Sequence, residues 1–249
     1  MFSFDGIFQE NIGTAHVYDN FAKPIVQAVL DGKHGTIFTY GTSGSGKTHS
    51  MQGDGKHGSL HKDGIIQLAV RDLFNHIRND SGKREYVMRI SMFEIYNERV
   101  HDLLASSSTS HSNKGPGSPS MRSSSNNNNN EPPIVNVDQG KGVGVDSAKK
   151  QVSSVDDVLK LLYAGNENRT IATTILNDAS SRSHAIFRIT LESRERLRGE
   201  HGKRHPESTS DHVRRIAALN FVDLAGSENT AKAATVGSRR RESGKINQR

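Results

Sequence analysis

The chain has 249 residues, enough for one large domain or at most two small ones, and it is read as one. Hydrophobic residues make up 33% and charged residues 24%, and no apolar run approaches the roughly 18 to 20 residues that a helical membrane span requires. The formal net charge of +6 favours an acidic partner but does not choose among nucleic acid, an anionic membrane and an acidic protein surface.

The absence of cysteine removes disulfides and thiolate metal sites together. The first residues also lack the basic, apolar, small-residue order of a secretory signal, so the expectation is an intracellular protein. The twelve histidines are scattered and are read as solvated surface residues.

In chain order, "FSFDGIF" alternates aromatic and polar residues like a short strand. "AHVYDNFAKPIVQAVLDGKHG" follows with Val17, Phe21, Ile25 and Val29 on one helical face, and Pro24 interrupts that helix or lies near its start. "GTIFTY" is a strand by its β-branched and aromatic content. Beyond it, Ile65, Ile66, Ala69, Val70, Leu73, Phe74 and Ile77 form a stripe of helical period. "EYVMRISMFEIYNERVHDLL" reads as a long strand running into a turn.

Residues 105–131 are almost wholly Ser, Asn, Gly and Pro. Such a stretch buries too little apolar surface to offset its ordering entropy, and it is read as a disordered low-complexity insertion. Order returns at "PIVNV". A helix then starts where Ser154 and Asp157 have capping-box spacing, with Val155, Val158, Leu159 and Leu162 on its buried face and Gly165 as its expected stop. "HAIFRITLESRER" alternates with Ala185, Phe187, Ile189 and Leu191 on one side, and "RIAALNFVD" is a buried strand ending in an acid.

Three constellations carry chemistry. Gly41-Thr42-Ser43-Gly44-Ser45-Gly46-Lys47-Thr48 satisfies G-x-x-x-x-G-K-[ST] between a strand and a helix start. Its glycines let backbone N–H groups turn inward on phosphate oxygens, Lys47 is placed to reach the β and γ phosphates, and the Thr48 hydroxyl is placed to ligate magnesium. Asp223 closes a strand, suited to hold a magnesium hydration shell, and Gly226 three residues on offers an N–H to a γ phosphate. "NDASSRSH", from Asn177 to His184, holds serines able to bind a metal or position a water. Taken alone, that cluster reads first as a capping or turn cluster.

Together these segments resemble a kinesin motor domain. The resemblance rests on "GSGKTHSM", on N-x-x-S-S-R-S-H at Asn177–His184 as switch I, and on "DLAGSE" at Asp223–Glu228 as switch II. "FSFDGIF", "MFEIYNERVHDLL" and "GNENRTIATT" are similar to kinesin segments in the same order, and "TLESRER" is most like the centromere-associated subfamily.

The implied fold is α/β, of the P-loop NTPase type, with a central, mostly parallel sheet flanked by helices on both faces. The implied domain is a partial motor domain over residues 1–249 with the insertion inside it. It is expected to be incomplete at both ends. Kinesins carry R-x-R-P ahead of F-x-F-D, which is not in the sequence, and "GKINQR" falls where they enter the switch II helix.

The resemblance also implies roles for single residues. His49 would lie against adenine, Ser180 and Ser181 would approach the attacking water and the magnesium, Arg182 would pair with Glu228, and Gly226 would sense the γ phosphate. Thr42 and Ser43 stand where Gln-Thr is commoner. The implied activity is ATP hydrolysis with Mg2+, coupled to microtubule binding and movement. The partner is tubulin rather than nucleic acid or membrane, with homodimerisation through coiled-coil segments elsewhere in the protein. The implied place is the cytoplasmic microtubule cytoskeleton, extending to spindle or kinetochore.

The basic "GSRRRESGK" corresponds to the loop that faces tubulin, whereas "RERLRGEHGKRH" is read as solvated. A GTPase would need an N-K-x-D type guanine-reading motif, which is absent, and a myosin would show D-x-A-G-F-E in place of "DLAGSE". The alternative is a degenerate motor that binds microtubules as a scaffold without turnover, or a truncated product without motility.

Overall fold

The computed structural model describes residues 3–54, 63–105, 137–138, 144–145, 147–176, 182–196 and 214–228. Helix α1 (Thr14–Val17) runs through a π-helical turn (Tyr18–Ala22) into α2 (Lys23–Leu30), where Pro24 sits in the first turn, the place at which its missing N–H costs nothing. The buried face here is Tyr18, Ala22, Val26 and Val29, one residue off the expected stripe at its first three positions. Tyr18 is buried because its hydroxyl donates to Asp72 Oδ2 at 2.8 Å, whereas Phe21 is turned outward with its ring edge-on to Phe8. Residues 3–8 of "FSFDGIF" are not a strand: they run irregularly, and Phe4 and Ile7 are exposed.

Strand β1 (Gly35–Thr39) leads through the glycine-rich loop to α3 (Lys47–Gln52). Helix α4 (Ile65–Asp80) follows, then β2 (Arg84–Tyr96) and β3 (Arg99–Asp102). These two strands form a hairpin whose two-residue turn, Asn97-Glu98, has both φ values positive, as the twist of a tight hairpin demands. The short strands β4 (Val137–Asp138) and β5 (Gly144–Val145) pair with each other, and β6 (Lys150–Val152) pairs with β2.

Helix α5 (Val155–Leu176) opens on a reciprocal cap: Asp157 N–H donates to Ser154 Oγ at 3.1 Å, and Ser154 N–H donates to Asp157 Oδ2 at 3.0 Å. Donors from Ser153 and Ser154 hold the Asp157 carboxyl below its usual range. Gly165 does not stop this helix. A Cβ there would lie 2.3 Å from Met92 Sδ, so glycine is what lets α5 lie close on β2. Strands β7 (His184–Glu195) and β8 (Arg214–Asp223) complete the sheet.

The strand order is β1-β8-β7-β2-β3, with β6 also on β2. The α/β class is as expected, but the mostly parallel sheet is corrected to a mixed one. Only β1–β8 is parallel among the described pairs, and β8–β7, β7–β2, β2–β3 and β2–β6 are antiparallel. Parallel neighbours need a long crossover, whereas β2–β3 and β7–β8 each follow directly in sequence without a described helix between them.

Met88, Ile90 and Met92 of β2 lie in register with Leu191, Ile189 and Phe187 of β7, which face Ala217, Leu219 and Phe221 of β8. With Val26, Val29, Ile66, Leu73, Val158 and Leu162 these residues make one buried cluster, each large side chain contributing about 1.5–3 kcal/mol. All helices in that cluster lie on one face. Helices on the other face, which the sequence reading expected, are not found among the described residues, where that face carries the smaller group Phe93, Val100 and Ile186. No described helix is long and apolar enough to cross a membrane.

The pairing scheme gathers the candidate segments. Parallel pairing sets Thr39, the last residue of β1, beside Asp223, the last of β8. Antiparallel pairing sets Ala185, near the start of β7, opposite Asp223, and His184 opposite Ile95 of β2. Four chain segments therefore end at one edge.

Candidate nucleotide-binding site

The loop from Gly41 to Thr48 turns with positive φ at Gly44 (77°) and Gly46 (88°), so its amides are aimed by a backbone that side-chain-bearing residues rarely adopt. Lys47 Nζ donates to the loop's own carbonyls, Gly41 O at 3.0 Å and Thr42 O at 2.8 Å. Its ammonium is thus anchored over the cradle.

Ser43 donates twice to one carboxylate: its N–H to Glu228 Oε2 at 2.9 Å and its hydroxyl to Glu228 Oε1 at 2.5 Å. These donors hold the Glu228 carboxyl below the usual glutamate range, against the opposing effect of burial. The loop therefore already holds an oxyanion on a backbone amide. Ser227 N–H donates to Gly41 O at 3.0 Å, which ties the segment after β8 to the start of the loop. A Cβ on Gly226 would meet the Glu228 carboxylate and Ser43 Oγ, so a side chain there would displace the Glu228–Ser43 contact.

Asp223 is 3% exposed and receives donors from three elements. Thr48 Oγ1 donates to its Oδ2 at 2.7 Å, Thr39 Oγ1 to its Oδ1 at 3.3 Å, and Arg169 Nη1 of α5 lies 3.4 Å from Oδ2. Arg169 also reaches Glu94 Oε1 through Nε at 3.3 Å, and its Nη2 reaches Ser183 O and Oγ. Ser183 Oγ donates to the same Glu94 oxygen. His184 Nδ1 accepts from Ala225 N–H at 3.1 Å, which joins the start of β7 to the segment after β8.

The donor chemistry fits a magnesium ion. Thr48 and Asp223 are hard oxygen groups in direct contact beside a loop built for anions, and magnesium takes few protein ligands together with phosphate oxygens. No group of three or more His, Cys, Asp or Glu that could hold a metal occurs among the described residues, so a cage made by side chains alone is not found there.

Of the sequence-predicted residues, Gly41 to Thr48, Asp223, Gly226 and Glu228 converge at this edge. Arg182 is half-buried in a short helical turn just before β7. His49 is half-exposed, with Nε2 2.9 Å from Asp54 Oδ1. Ser180 and Ser181 lie outside the described residues, as do residues 106–131 and both basic clusters apart from Arg194, Glu195 and Arg196.

Arg169, Glu94 and Thr39 were given no role of their own, and Ser183 was read only within the "NDASSRSH" run, although the pattern marks two of them. Arg169 falls seven residues after Leu162 on the buried stripe of α5, and Glu94 follows Ile90 and Met92 on the core-facing side of β2. A charge at a core position is the signal.

The model of the kinesin motor domain matches residues 1–249. The chain belongs to the kinesin motor family. Kinesin-like protein KIN-7O of Arabidopsis thaliana is 39% identical over 247 residues, which cover 99% of this chain and 17% of that protein. Centromere-associated protein E of Homo sapiens is 36% identical over 247 residues, 99% of this chain and 8% of that one. The kinesin chain thus spans less than a fifth of either relative. Among solved structures, a fast kinesin described for its ATPase mechanism and its interactions with microtubules superposes with a TM-score of 0.74 at 32% identity. The match covers 99% of this chain and 60% of that one. These are the properties of a family of microtubule motor ATPases.

Proposed function

We propose that this kinesin chain binds Mg-ATP at the Gly41–Thr48 loop and hydrolyses it, with the state of the two switch segments setting affinity for microtubules. The observation that carries the reading is the 2.7 Å contact between Thr48 Oγ1 and Asp223 Oδ2, which joins two motifs 175 residues apart at one point. Lys47 exchanges the loop carbonyls for β and γ phosphate oxygens, and the loop amides cradle the same groups. Thr48, Ser181 and Asp223 hold the metal, directly or through its water. When bound, magnesium supplies charge neutralisation on the phosphoryl group being transferred.

Ser180 and Ser181 orient the attacking water, His49 lies against the adenine, and Gly226 N–H reads the γ phosphate. Glu228 shares the anion position at Ser43, so a phosphate entering there repels the carboxylate and frees it to pair with Arg182. Order in the switches follows the γ phosphate, and the tubulin-facing surface follows the switches. The likeness to centromere-associated protein E favours work at the spindle or kinetochore in a dimeric full-length protein.

The test is ATP turnover by the full-length protein with and without microtubules, beside Lys47→Ala. Stimulation by the filament, and loss of nucleotide binding in the variant, are the expected results. Tight filament binding without turnover assigns a scaffold instead, and unchanged nucleotide affinity in K47A overturns the loop assignment.

A further inference from the structure

We infer that Gln52 and Asn166 are a positioning pair that fixes the short phosphate-loop helix α3 to α5, so that the residues facing the nucleotide and the helix leading to switch I keep one relative position. This rests on the nucleotide-site reading above and adds two residues to which the loop and switch motifs give no part. Asn166 Nδ2 donates to Gln52 Oε1 at 2.6 Å across 114 positions of the chain. Gln52 is buried and Asn166 half-buried.

The need for such a pair follows from the length of α3. Its six residues, Lys47–Gln52, make less than two turns, far below the length at which a helix holds itself in water. Yet its first three residues, Lys47, Thr48 and His49, are the ones that meet phosphate, metal and base in that reading. Their placement is set by what grips the helix from outside. At the start, Gly46 has a positive φ of 88° and supplies no side-chain cap. At the end, the grip is polar and buried.

Two amides supply it. Gln67 of α4 donates through Nε2 to the Gln52 carbonyl at 2.6 Å and accepts Gly64 N–H on Oε1 at 3.1 Å. Gly64 lies against the backbone of Gln52 and Gly53, where a Cβ would run into main-chain atoms that cannot give way. These contacts hold α3 to α4 by its main chain. The Gln52 side chain turns to Asn166, whose carbonyl accepts from Thr170 Oγ1 at 2.9 Å within α5. An apolar contact would fill the same space and tolerate sliding. An amide pair in a desolvated place does not, because a shift of either helix leaves a polar group without its partner. Helix α5 runs on to Leu176, directly before Asn177 of switch I. Displacement of α5 therefore pulls on Gln52, one turn of helix from His49.

The experiment deletes the bond and keeps the packing. Gln52→Met with Asn166→Leu replaces both partners by apolar groups of similar shape, a change close to neutral for stability when both go together. Release of N-methylanthraniloyl-ADP in Mg2+ is followed for the full-length wild type, the two single variants, the double variant and Leu191→Ala, which opens the core on β7 without touching the pair. Urea midpoints are measured beside it.

The double variant is expected to release about three- to tenfold faster than the wild type, the range given by loss of one buried hydrogen bond. L191A releases at the wild-type rate although its urea midpoint is the lower of the two. Each single variant accelerates release as much as the double one, since either change breaks the same bond. Unchanged release in the double variant overturns the inference, because the pair then only fills space between helices. Equal acceleration in L191A overturns it too, since that is general loosening, and so does additive acceleration by the two single changes, since the residues then act separately. A wild type that binds no N-methylanthraniloyl-ADP brings down the nucleotide-site reading, and this inference with it.

Discussion

Two buried carboxylate clusters sit on the same strands and are balanced in opposite ways. Glu94 and Asp223, at the edge where the phosphate loop starts, share the single guanidinium of Arg169. Glu192, eight residues along β7 from His184 and so about 27 Å away at the usual rise per residue, is one carboxylate met by Arg89, Arg194 and Arg214 at 2.8–3.3 Å. The far cluster has positive charge to spare, and its arginines are one-third to one-half exposed. Among the described residues the near cluster sets two buried carboxylates against one guanidinium. A divalent cation is a group that such an arrangement suits.

The sharpest way to break the contrast is to neutralise one carboxylate at each end. Asp223→Asn should lower the Mg2+ dependence of nucleotide binding by about ten- to a hundredfold, whereas Glu192→Gln should leave it unchanged. Titration of fluorescent ADP against Mg2+ reads both.

Removing cations comes next. Arg169→Ala leaves two buried carboxylates without their shared partner and should cost about 3–5 kcal/mol in urea unfolding. Arg214→Ala removes one half-exposed cation of the far cluster and should cost no more than about 1 kcal/mol. Similar costs for both would show that the two clusters are not differently balanced.

The smallest effect is one of pH. Contact with Arg214 above all, against the cost of burial, pushes the Glu192 carboxyl down to about 2. Stability from this group is complete above the ordinary glutamate pKa of about 4.3 and is lost as pH falls toward the folded value near 2. E192Q should therefore flatten the acid limb of stability between these limits, as read by thermal unfolding across pH, and leave the neutral region nearly level.

The chemistry of the phosphate edge was legible because its motifs are local. Gly41–Thr48 and Asp223–Glu228 are short runs whose residue types are dictated by phosphate and metal, and the strand before each carries its own alternation. The α4 stripe and the Ser154–Asp157 cap were readable for the same reason.

What sequence reading missed depends on contacts between distant segments. Gly165 looked like a helix stop because the closeness of Met92 is invisible in one dimension. The sheet looked mostly parallel because the P-loop motif describes only the β1–β8 neighbourhood, while β2, β3, β6 and β7 pair by direct antiparallel return. Arg169 was read only as part of the run "GNENRTIATT", beyond the expected helix stop, because its contact with Asp223 exists only once α5 is laid across the sheet.

The central claim is that Lys47, Thr48 and Asp223 form one magnesium–nucleotide site. Equilibrium binding of ADP to the full-length protein, in Mg2+ and in EDTA, for the wild type and Thr48→Ala, tests it most directly. The account predicts that Mg2+ tightens wild-type binding by about tenfold or more and that T48A loses this tightening while still binding ADP in EDTA. Equal affinity in the two buffers for the wild type, or full Mg2+ tightening in T48A, would contradict it.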